Sequence, residues 1–181
     1  MANREALREL QTRLASRLLA ARSEGGSVSS WLAVEAAGQR YLLPLGQSGE
    51  IFPKVRVQAV PYTQSWFLGV ANLRGGLVSV VDLSAFIASL NSPDALAARP
   101  TQAVDDPILL SLNAHLQVNA ALLVDGLAGL RSTDAFVSSE APIEGAPAFF
   151  GTTYIDSSGS RWQELNLQIL SQHPTFLSIS A

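Results

Sequence analysis

The sequence predicts a mainly β protein made of two small barrels or a sandwich. Three observations indicate this class. Short apolar runs follow one another between turn residues, helical spacing occurs in only three places at their margins, and the strand order of the first half recurs in the second. A parallel sheet of βαβ units would instead need a helix after each strand. Because one order of strands occurs twice, two β-barrels in one chain is the simplest architecture.

The composition suits one globular unit and argues against several function classes. The chain has 181 residues, 48% of them hydrophobic and only 15% charged, which allows a substantial core and an apolar surface for partners. The net charge of −3 argues against nucleic-acid binding, which relies on clustered Lys and Arg. The absence of cysteine excludes disulfides and thiolate metal sites, and makes the cytoplasm the expected compartment. No apolar run approaches the roughly 20 residues that cross a bilayer, so direct membrane insertion is not expected.

Residues 3–21 are predicted to form an amphipathic helix that precedes the main fold. Its apolar positions recur at helical spacing, with arginines on the other faces, and Gly25-Gly26 follows it. The leucines of this stripe are Leu7, Leu10, Leu14 and Leu18. We therefore divide the chain into a helical extension, residues 1–26, and a β domain, residues 27–181. The helix either docks on its own domain, frays in solution, or serves as an arm for a partner or a membrane surface.

The β domain is predicted to begin with a hairpin. Strands at residues 31–35 and 40–45 flank a turn at residues 36–39. Prolines and glycines then divide residues 46–61 into loop with short β pieces. This irregular stretch leads to the most distinctive segment of the chain.

That segment is predicted to be a second, apolar hairpin with a charged tip. Its strands, residues 69–73 and 77–81, flank Arg74-Gly75-Gly76, whose two glycines allow the positive φ of a tight turn. A guanidinium at the tip of an apolar hairpin must be solvated, paired within the protein or offered to a partner. Since most hairpins are only scaffold, the arginine is the feature that suggests a function.

After this hairpin the chain is predicted to change from strand to helix and then to an irregular connection. Asp82 or Ser84 caps a short helix that ends at Leu90. Residues 91–107 show neither the helical nor the strand spacing of apolar residues, and they contain three prolines. We therefore expect a hinge or a mobile loop there.

The second half is predicted to repeat the opening hairpin. Strands at residues 108–112 and 116–124 flank a turn at residues 113–115. Asp125 follows the second strand, and its carboxylate either caps a turn or belongs to a functional site. The stretch after Ser132 is expected to be irregular.

A closing hairpin and a terminal helix are predicted at the end of the domain. Strands at residues 149–155 and 161–165 flank a serine-rich turn. Asn166 then caps a helix over residues 167–173, and Pro174 stops it.

The sequence contains no set of residues suited to catalysis or to a cofactor. His115 and His173 lack a second histidine or a spaced carboxylate, so we interpret both as solvent-exposed and assign no metal site. No Gly-x-Ser-x-Gly turn is present, and Arg74-Gly75-Gly76 lacks the lysine and the following helix of a phosphate loop. The protein is therefore expected to be non-enzymatic. The alternative, from another functional class, is a β-barrel protein that binds a small molecule.

The apolar hairpin carries a motif of a known family. The residues of the motif are Gly69-Val70-x-Asn72-Leu73-Arg74-Gly75 and Val78-x-Val80-Val81-Asp82-Leu83. This pattern resembles the central motif of the CheW-like adaptor domains of bacterial chemosensory systems. Further matching positions are Glu50-Ile51, Val124-Asp125-Gly126, Gly151 and Leu165-Asn166-Leu167. The resemblance covers residues 31–173, with departures at Ser48, Ser79 and Ser84.

The resemblance implies a fold and a function. The fold would be two intertwined, SH3-like, five-stranded β-barrels with a groove between them. The function would be that of an adaptor that couples the cytoplasmic tip of methyl-accepting chemoreceptors to the regulatory domain of a CheA-type histidine kinase, in the cytoplasm beside membrane receptor arrays. The N-terminal helix and the divergent second half are more similar to adaptors of type IV pilus (twitching) pathways than to flagellar coupling proteins, which are the alternative.

The resemblance also implies which residues meet a partner. A receptor helix would bind in the groove, with the hairpin arginine giving orientation. The residues assigned in this way to the protein interface are Glu50, Ile51, Gly69, Asn72, Leu73, Arg74, Gly75, Val124 and Asp125.

Overall fold

Two six-stranded mixed sheets form the protein in the computed structural model, which describes residues 30–53, 55–91 and 108–181. The first, here called the terminal sheet, consists of β1 (Ser30–Ala36), β2 (Gln39–Pro44), β9 (Gly126–Ser132), β10 (Phe136–Glu140), β11 (Phe150–Asp156) and β12 (Arg161–Leu165). The second, here called the central sheet, consists of β3 (Ser48–Pro53), β4 (Val57–Gln58), β5 (Phe67–Leu73), β6 (Gly76–Asp82), β7 (Ile108–Leu112) and β8 (Ala120–Val124). The described helices are α1 (Leu83–Asn91), α2 (Leu167–Ser171) and α3 (Pro174–Leu177), with 3₁₀ turns at Ala114–Leu116 and Thr133–Ala135.

The strand order interleaves the two ends of the domain. The terminal sheet runs β10-β11-β12-β2-β1-β9, and the central sheet runs β3-β7-β8-β6-β5-β4. Each sheet has one parallel pair, β12 with β2 and β6 with β8, among antiparallel ones. The predicted mainly β class is confirmed, but each sheet has six strands where the resemblance implied barrels of five. The two-residue strand β4 adds the sixth strand to the central sheet.

Each sheet carries an apolar cluster on both of its faces, since alternate residues of a strand point to opposite sides. In β1, Leu32 and Val34 join the large core that both sheets share with the three helices, whereas Trp31 and Ala33 pack on the opposite face. The central sheet likewise has its own smaller core on its other face. All five residues of β8 are buried for this reason. The high hydrophobic content thus fills three apolar clusters.

Most predicted hairpins and caps are confirmed. β1 pairs with β2, β7 with β8 and β11 with β12, each antiparallel as expected. The Asp82 Oδ1 accepts the Ala85 N–H at 3.1 Å and so caps α1. The Asn166 Oδ1 accepts the Ile169 N–H at 3.1 Å and caps α2.

Several expectations about the second half are wrong. The strand predicted over residues 116–124 begins only at Ala120, and Ala114–Leu116 forms a 3₁₀ turn. The stretch after Ser132 contains β10, which the sequence pattern did not indicate. The last helix ends at Ser171, and Pro174 begins α3 instead of ending a helix, because proline is well suited to the first helical position. His173 is not a solvent-exposed residue: it is half-buried, its Nδ1 accepts the Thr175 N–H, and its ring lies edge-on to Phe86 and Phe149.

Two predicted segments lie outside the described residues. They are the N-terminal helix at residues 3–21 and all but the first residue of the connection at residues 91–107.

The β11–β12 turn contains a strongly hydrogen-bonded carboxylate. The Asp156 Oδ1 accepts the Ser158 hydroxyl at 2.6 Å and the Ser160 N–H at 3.0 Å, and its Oδ2 accepts the Trp162 Nε1–H at 2.9 Å. These bonds, that of the Ser158 hydroxyl foremost, hold the pKa of the Asp156 carboxyl well below its usual range. The charged form therefore favours folding above the unfolded-state pKa of about 3.9, and this contribution is lost as the pH falls toward the folded-state pKa.

We therefore expect Asp156→Asn to reduce the acid sensitivity of the protein. The free energy of unfolding of the wild type should decline as the pH falls below about 5, and that of the variant should decline less. The difference in stability between the two proteins therefore narrows at low pH. Urea unfolding midpoints between pH 7 and pH 2.5 measure this. Glu144→Gln, at an exposed carboxyl, is the control and should follow the wild type. If the urea unfolding midpoint of Asp156→Asn falls between pH 7 and pH 2.5 as much as that of the wild type, the assignment is contradicted.

Candidate functional site

The β5–β6 hairpin ends in a two-residue turn made of Arg74 and Gly75. Both have positive φ, +50° and +87°, as a tight hairpin turn requires, and Gly76 already belongs to β6. The Asn72 Oδ1 accepts the Gly75 N–H at 2.8 Å and braces the turn. The predicted hairpin is confirmed, but the second positive φ belongs to the arginine itself and not to Gly76.

The arginine at the tip is both paired and exposed. Its Nε lies 2.9 Å from the Oε2 of Glu50 on β3, and the two side chains are 75% and 53% exposed. Ion pairs this exposed contribute only about 0–1 kcal/mol to stability. The pair therefore orients two surface charges more than it stabilises the fold.

A bulge in β3 sets the position of Glu50. The β3–β7 register shifts between Ser48 and Ile51, and the Ser111 Oγ accepts the Glu50 N–H at 2.8 Å. A Cβ on Gly49 would lie 2.5 Å from that Oγ and 2.8 Å from the Ser111 carbonyl oxygen, so a side chain there would clash. Gly49 and Ser111 together allow the close approach that places Glu50 beside Arg74.

An open groove of about 600 Å³ lies beside this ion pair. Three separate segments line it: β3, the β5–β6 hairpin, and the end of β7 with its connection to β8. All three belong to the central sheet, whereas the resemblance implied a groove between two barrels. Its apolar lining residues are Phe52, Leu73, Val78, Leu112, Ala114 and Val118. Its polar lining residues are Glu50, Arg74, Ser111, Asn113, Gln117 and Asn119. Most of the lining area is apolar, and polar side chains are interspersed with it, a mixture suited to binding a partner.

The groove brings together several of the residues assigned to the interface. Glu50, Leu73 and Arg74 line it. Asn72 and Gly75 form the adjoining turn through their hydrogen bond. Ile51 follows Glu50 in β3 and is 44% exposed.

The structure places the other three assigned residues apart from the groove. Gly69 is buried in β5 near the opposite end from the turn, against the backbone of Gln58. Val124 is fully buried in the large core. The Asp125 Oδ2 accepts the Ala37 N–H at 2.6 Å, so this carboxylate caps the β1–β2 turn, one of the two roles that the sequence left open.

Sequence reasoning missed much of the groove. The residues that it did not assign include Phe52, Val78, Ser111, Asn113, Gln117, Val118 and Asn119. The one available indication was the alternation of polar and apolar residues over residues 113–119, between the two apolar strands β7 and β8. The sequence pattern predicts a turn over residues 113–115 and a strand from residue 116, whereas β8 begins only at Ala120.

The chemistry of the groove favours binding over catalysis. Of its lining residues, Glu50 and Arg74 are the ionisable ones, and they pair with each other. Within residues 30–53, 55–91 and 108–181, no three His, Cys, Asp or Glu side chains gather into a possible metal site. In the same residues no helix is long and apolar enough to cross a membrane.

The family model of the CheW-like domain matches residues 30–174. The chain belongs to the CheW-like domain family. This confirms the resemblance carried by the hairpin motif, and the matched residues agree with the expected range of 31–173. Because CheW-like scaffolding proteins are non-enzymatic, membership also confirms that the chain is not an enzyme.

Individual proteins are also similar to this CheW-like chain. Protein PilI of Pseudomonas aeruginosa is 29% identical over 160 residues, covering 85% of this chain and 83% of that protein. The crystal structure of the scaffolding protein TtCheW from Thermoanaerobacter tengcongensis matches with a TM-score of 0.61 at 17% identity, covering 81% of this chain and 94% of that one. The second likeness shows the CheW-like fold.

Proposed function

We propose that this chain is an adaptor that couples methyl-accepting chemoreceptors to a CheA-type histidine kinase. It would act in the cytoplasm beside membrane receptor arrays, in a pathway that controls type IV pilus twitching motility. Membership of the CheW-like family supports the adaptor role, and the likeness to PilI supports the pilus output over the flagellar alternative.

The observation that carries the proposal is the exposed Glu50–Arg74 pair beside a groove with a largely apolar lining. An amphipathic receptor helix would lay its apolar stripe in this groove, which is a common mode of helix recognition. The arginine would give the helix its orientation, because the turn sets the backbone of Arg74 and Glu50 pairs with its guanidinium. An open groove whose ionisable residues already pair with each other favours a protein surface over a small molecule.

Arg74→Ala is expected to weaken binding of a chemoreceptor signalling tip about tenfold, because it removes an orienting charge from the interface. The free energy of unfolding should change by less than about 1 kcal/mol, since the ion pair is exposed. Isothermal titration calorimetry and urea unfolding measure the two quantities. Arg161→Ala is the matched control, because it removes an exposed arginine that pairs with Glu140 in the other sheet. Unchanged affinity of Arg74→Ala would contradict the proposal.

The pilus output is tested by purifying the tagged chain from its own cells. Receptor and kinase of a twitching pathway should be recovered with it. Recovery of flagellar chemotaxis proteins in their place would support the alternative.

A further inference from the structure

Left-handed backbone at residues other than glycine marks two positions of the groove. Among the described residues, the non-glycine residues with positive φ are Ala37, Tyr62, Arg74 and Gln117. Arg74 and Gln117 both line the groove. A residue with a Cβ is less stable than glycine in this region, and such positions concentrate at functional sites.

Gln117 occupies a position that would suit another residue better. It ends the 3₁₀ turn Ala114–Leu116 with φ of +57°, and its N–H donates to the Ala114 carbonyl at 3.1 Å. Glycine or asparagine fills such a left-handed cap at the lowest cost. The backbone therefore gives no reason for glutamine at this point.

The fold makes no use of the glutamine side chain either. The neighbouring amides do serve the fold: the Asn113 Oδ1 accepts the His115 N–H at 3.3 Å, and the Asn119 Nδ2 donates to the Leu77 carbonyl at 2.8 Å. Gln117 is exposed, and no hydrogen bond of its amide occurs within the part of the chain that the structure describes. Its amide is thus available at the groove, with one acceptor and two donor positions.

We infer that Gln117 is a partner-contact residue whose amide hydrogen-bonds a polar side chain of the bound receptor helix. The inference rests on the proposed function, since that function places a helix in the groove. The backbone amides of a helix are already paired with one another, so a side chain is the group that the Gln117 amide meets. Together with Arg74, Gln117 provides polar contacts from two separate segments, and two such contacts fix the rotation of a helix that one contact would leave free.

The test compares Gln117→Ala with Gln117→Gly. Both variants remove the amide, but only glycine also relieves the left-handed backbone. We expect both to weaken the affinity for a receptor signalling tip about threefold to tenfold, the loss typical of one hydrogen bond. Gln117→Gly should also raise the thermal unfolding midpoint, whereas Gln117→Ala should leave it nearly unchanged. Calorimetric titration and thermal denaturation of the full chain measure these effects.

Ala37→Gly is the matched control. Ala37 has φ of +49° in the β1–β2 turn of the other sheet, so this variant should raise the unfolding midpoint and keep wild-type affinity. Wild-type affinity of Gln117→Ala would overturn the inference, as would an equal loss of affinity in Ala37→Gly. Arg74→Ala, measured alongside, separates the two proposals: if it too binds with wild-type affinity, the proposed function falls as well, and if it weakens binding, the inference falls alone.

Discussion

Gly69→Ala is expected to lower the free energy of unfolding by about 4 kcal/mol, which is at the upper end for a single substitution. A Cβ at this position would lie 2.0 Å from the Gln58 carbonyl oxygen and 2.9 Å from the Ala59 Cα. Both are backbone atoms, so no side-chain rotation can relieve the clash. The φ of +132° adds a conformation that residues with a Cβ rarely adopt. The β4–β5 pairing, in which Gln58 lies opposite Val70, would have to separate.

Urea unfolding with Gly129→Ala as the control tests this expectation. Gly129 also has positive φ, +89°, but its missing Cβ would meet no atom within 4 Å. Its alanine variant should therefore lose only about 1 kcal/mol, from the backbone conformation alone. If the two variants differ by less than 1 kcal/mol, the clash with Gln58 is not what requires glycine. The close approach of β4 gives Gly69 a role in the fold that is separate from the interface role implied by the family motif.

Trp66→Ala is expected to destabilise the protein by about 3–5 kcal/mol. The indole is only 1% exposed and lies in the large core, between the central sheet and the helices. Its ring centroid is 5.2 Å from that of Phe86, in an edge-on contact, and 6.2 Å from that of Phe176, in a stacked one. Alanine would remove these contacts and leave a cavity that the surrounding strands cannot fill.

Two controls separate ring volume from other effects. Tyr62→Ala, four residues earlier and 90% exposed, should change the free energy of unfolding by less than about 0.5 kcal/mol. Trp66→Phe should lose far less than Trp66→Ala, because it keeps an aromatic ring and the indole N–H has no hydrogen-bond partner among the described residues. A Trp66→Ala loss below 1 kcal/mol in urea unfolding would show that the aromatic contacts around this ring contribute little.

The features that could be predicted from the sequence are local ones. The tight turn at Arg74-Gly75 and the caps at Asp82 and Asn166 depend on residues within three or four positions of each other. The nearby sequence contains all of the groups that form these structures. For the same reason the hairpins β1–β2, β5–β6 and β11–β12 were predictable.

The strands that were missed depend on distant partners. β9 contains Gly126 and Gly129, which weaken any strand pattern, and it is extended because it pairs with β1, as in Ala33 opposite Gly129. β10 is an edge strand without alternation, and its Val137 is 69% exposed. In both strands tertiary pairing decides the conformation, and a short window of sequence does not contain that pairing.

The candidate site likewise combines residues that the sequence indicates with contacts that depend on distant parts of the chain. The motif indicated Arg74, and the resemblance indicated Glu50, but their contact depends on the bulge that Ser111 holds from another strand. Gln117 could not be chosen from the sequence, because its left-handed backbone and its unused amide are visible only in the fold. The Asp125 carboxylate caps the β1–β2 turn through Ala37, 88 positions earlier in the sequence, and no short window of sequence contains that contact.

The interleaved strand order also has a consequence for how the chain folds during its synthesis. The central sheet draws on residues 48–124, so all of its strands leave the ribosome before β9 does. β1 and β2 leave the ribosome first, but β2 can complete its pairing only after β12 has been synthesised, since Tyr41 pairs with Gln163. Until β12 is present, Trp31 and Leu42 cannot pack with Trp162, and their face of the hairpin stays exposed to solvent. We expect the nascent protein to hold a formed central sheet and an exposed N-terminal hairpin until the last strand arrives, an interval in which a chaperone would protect it from aggregation.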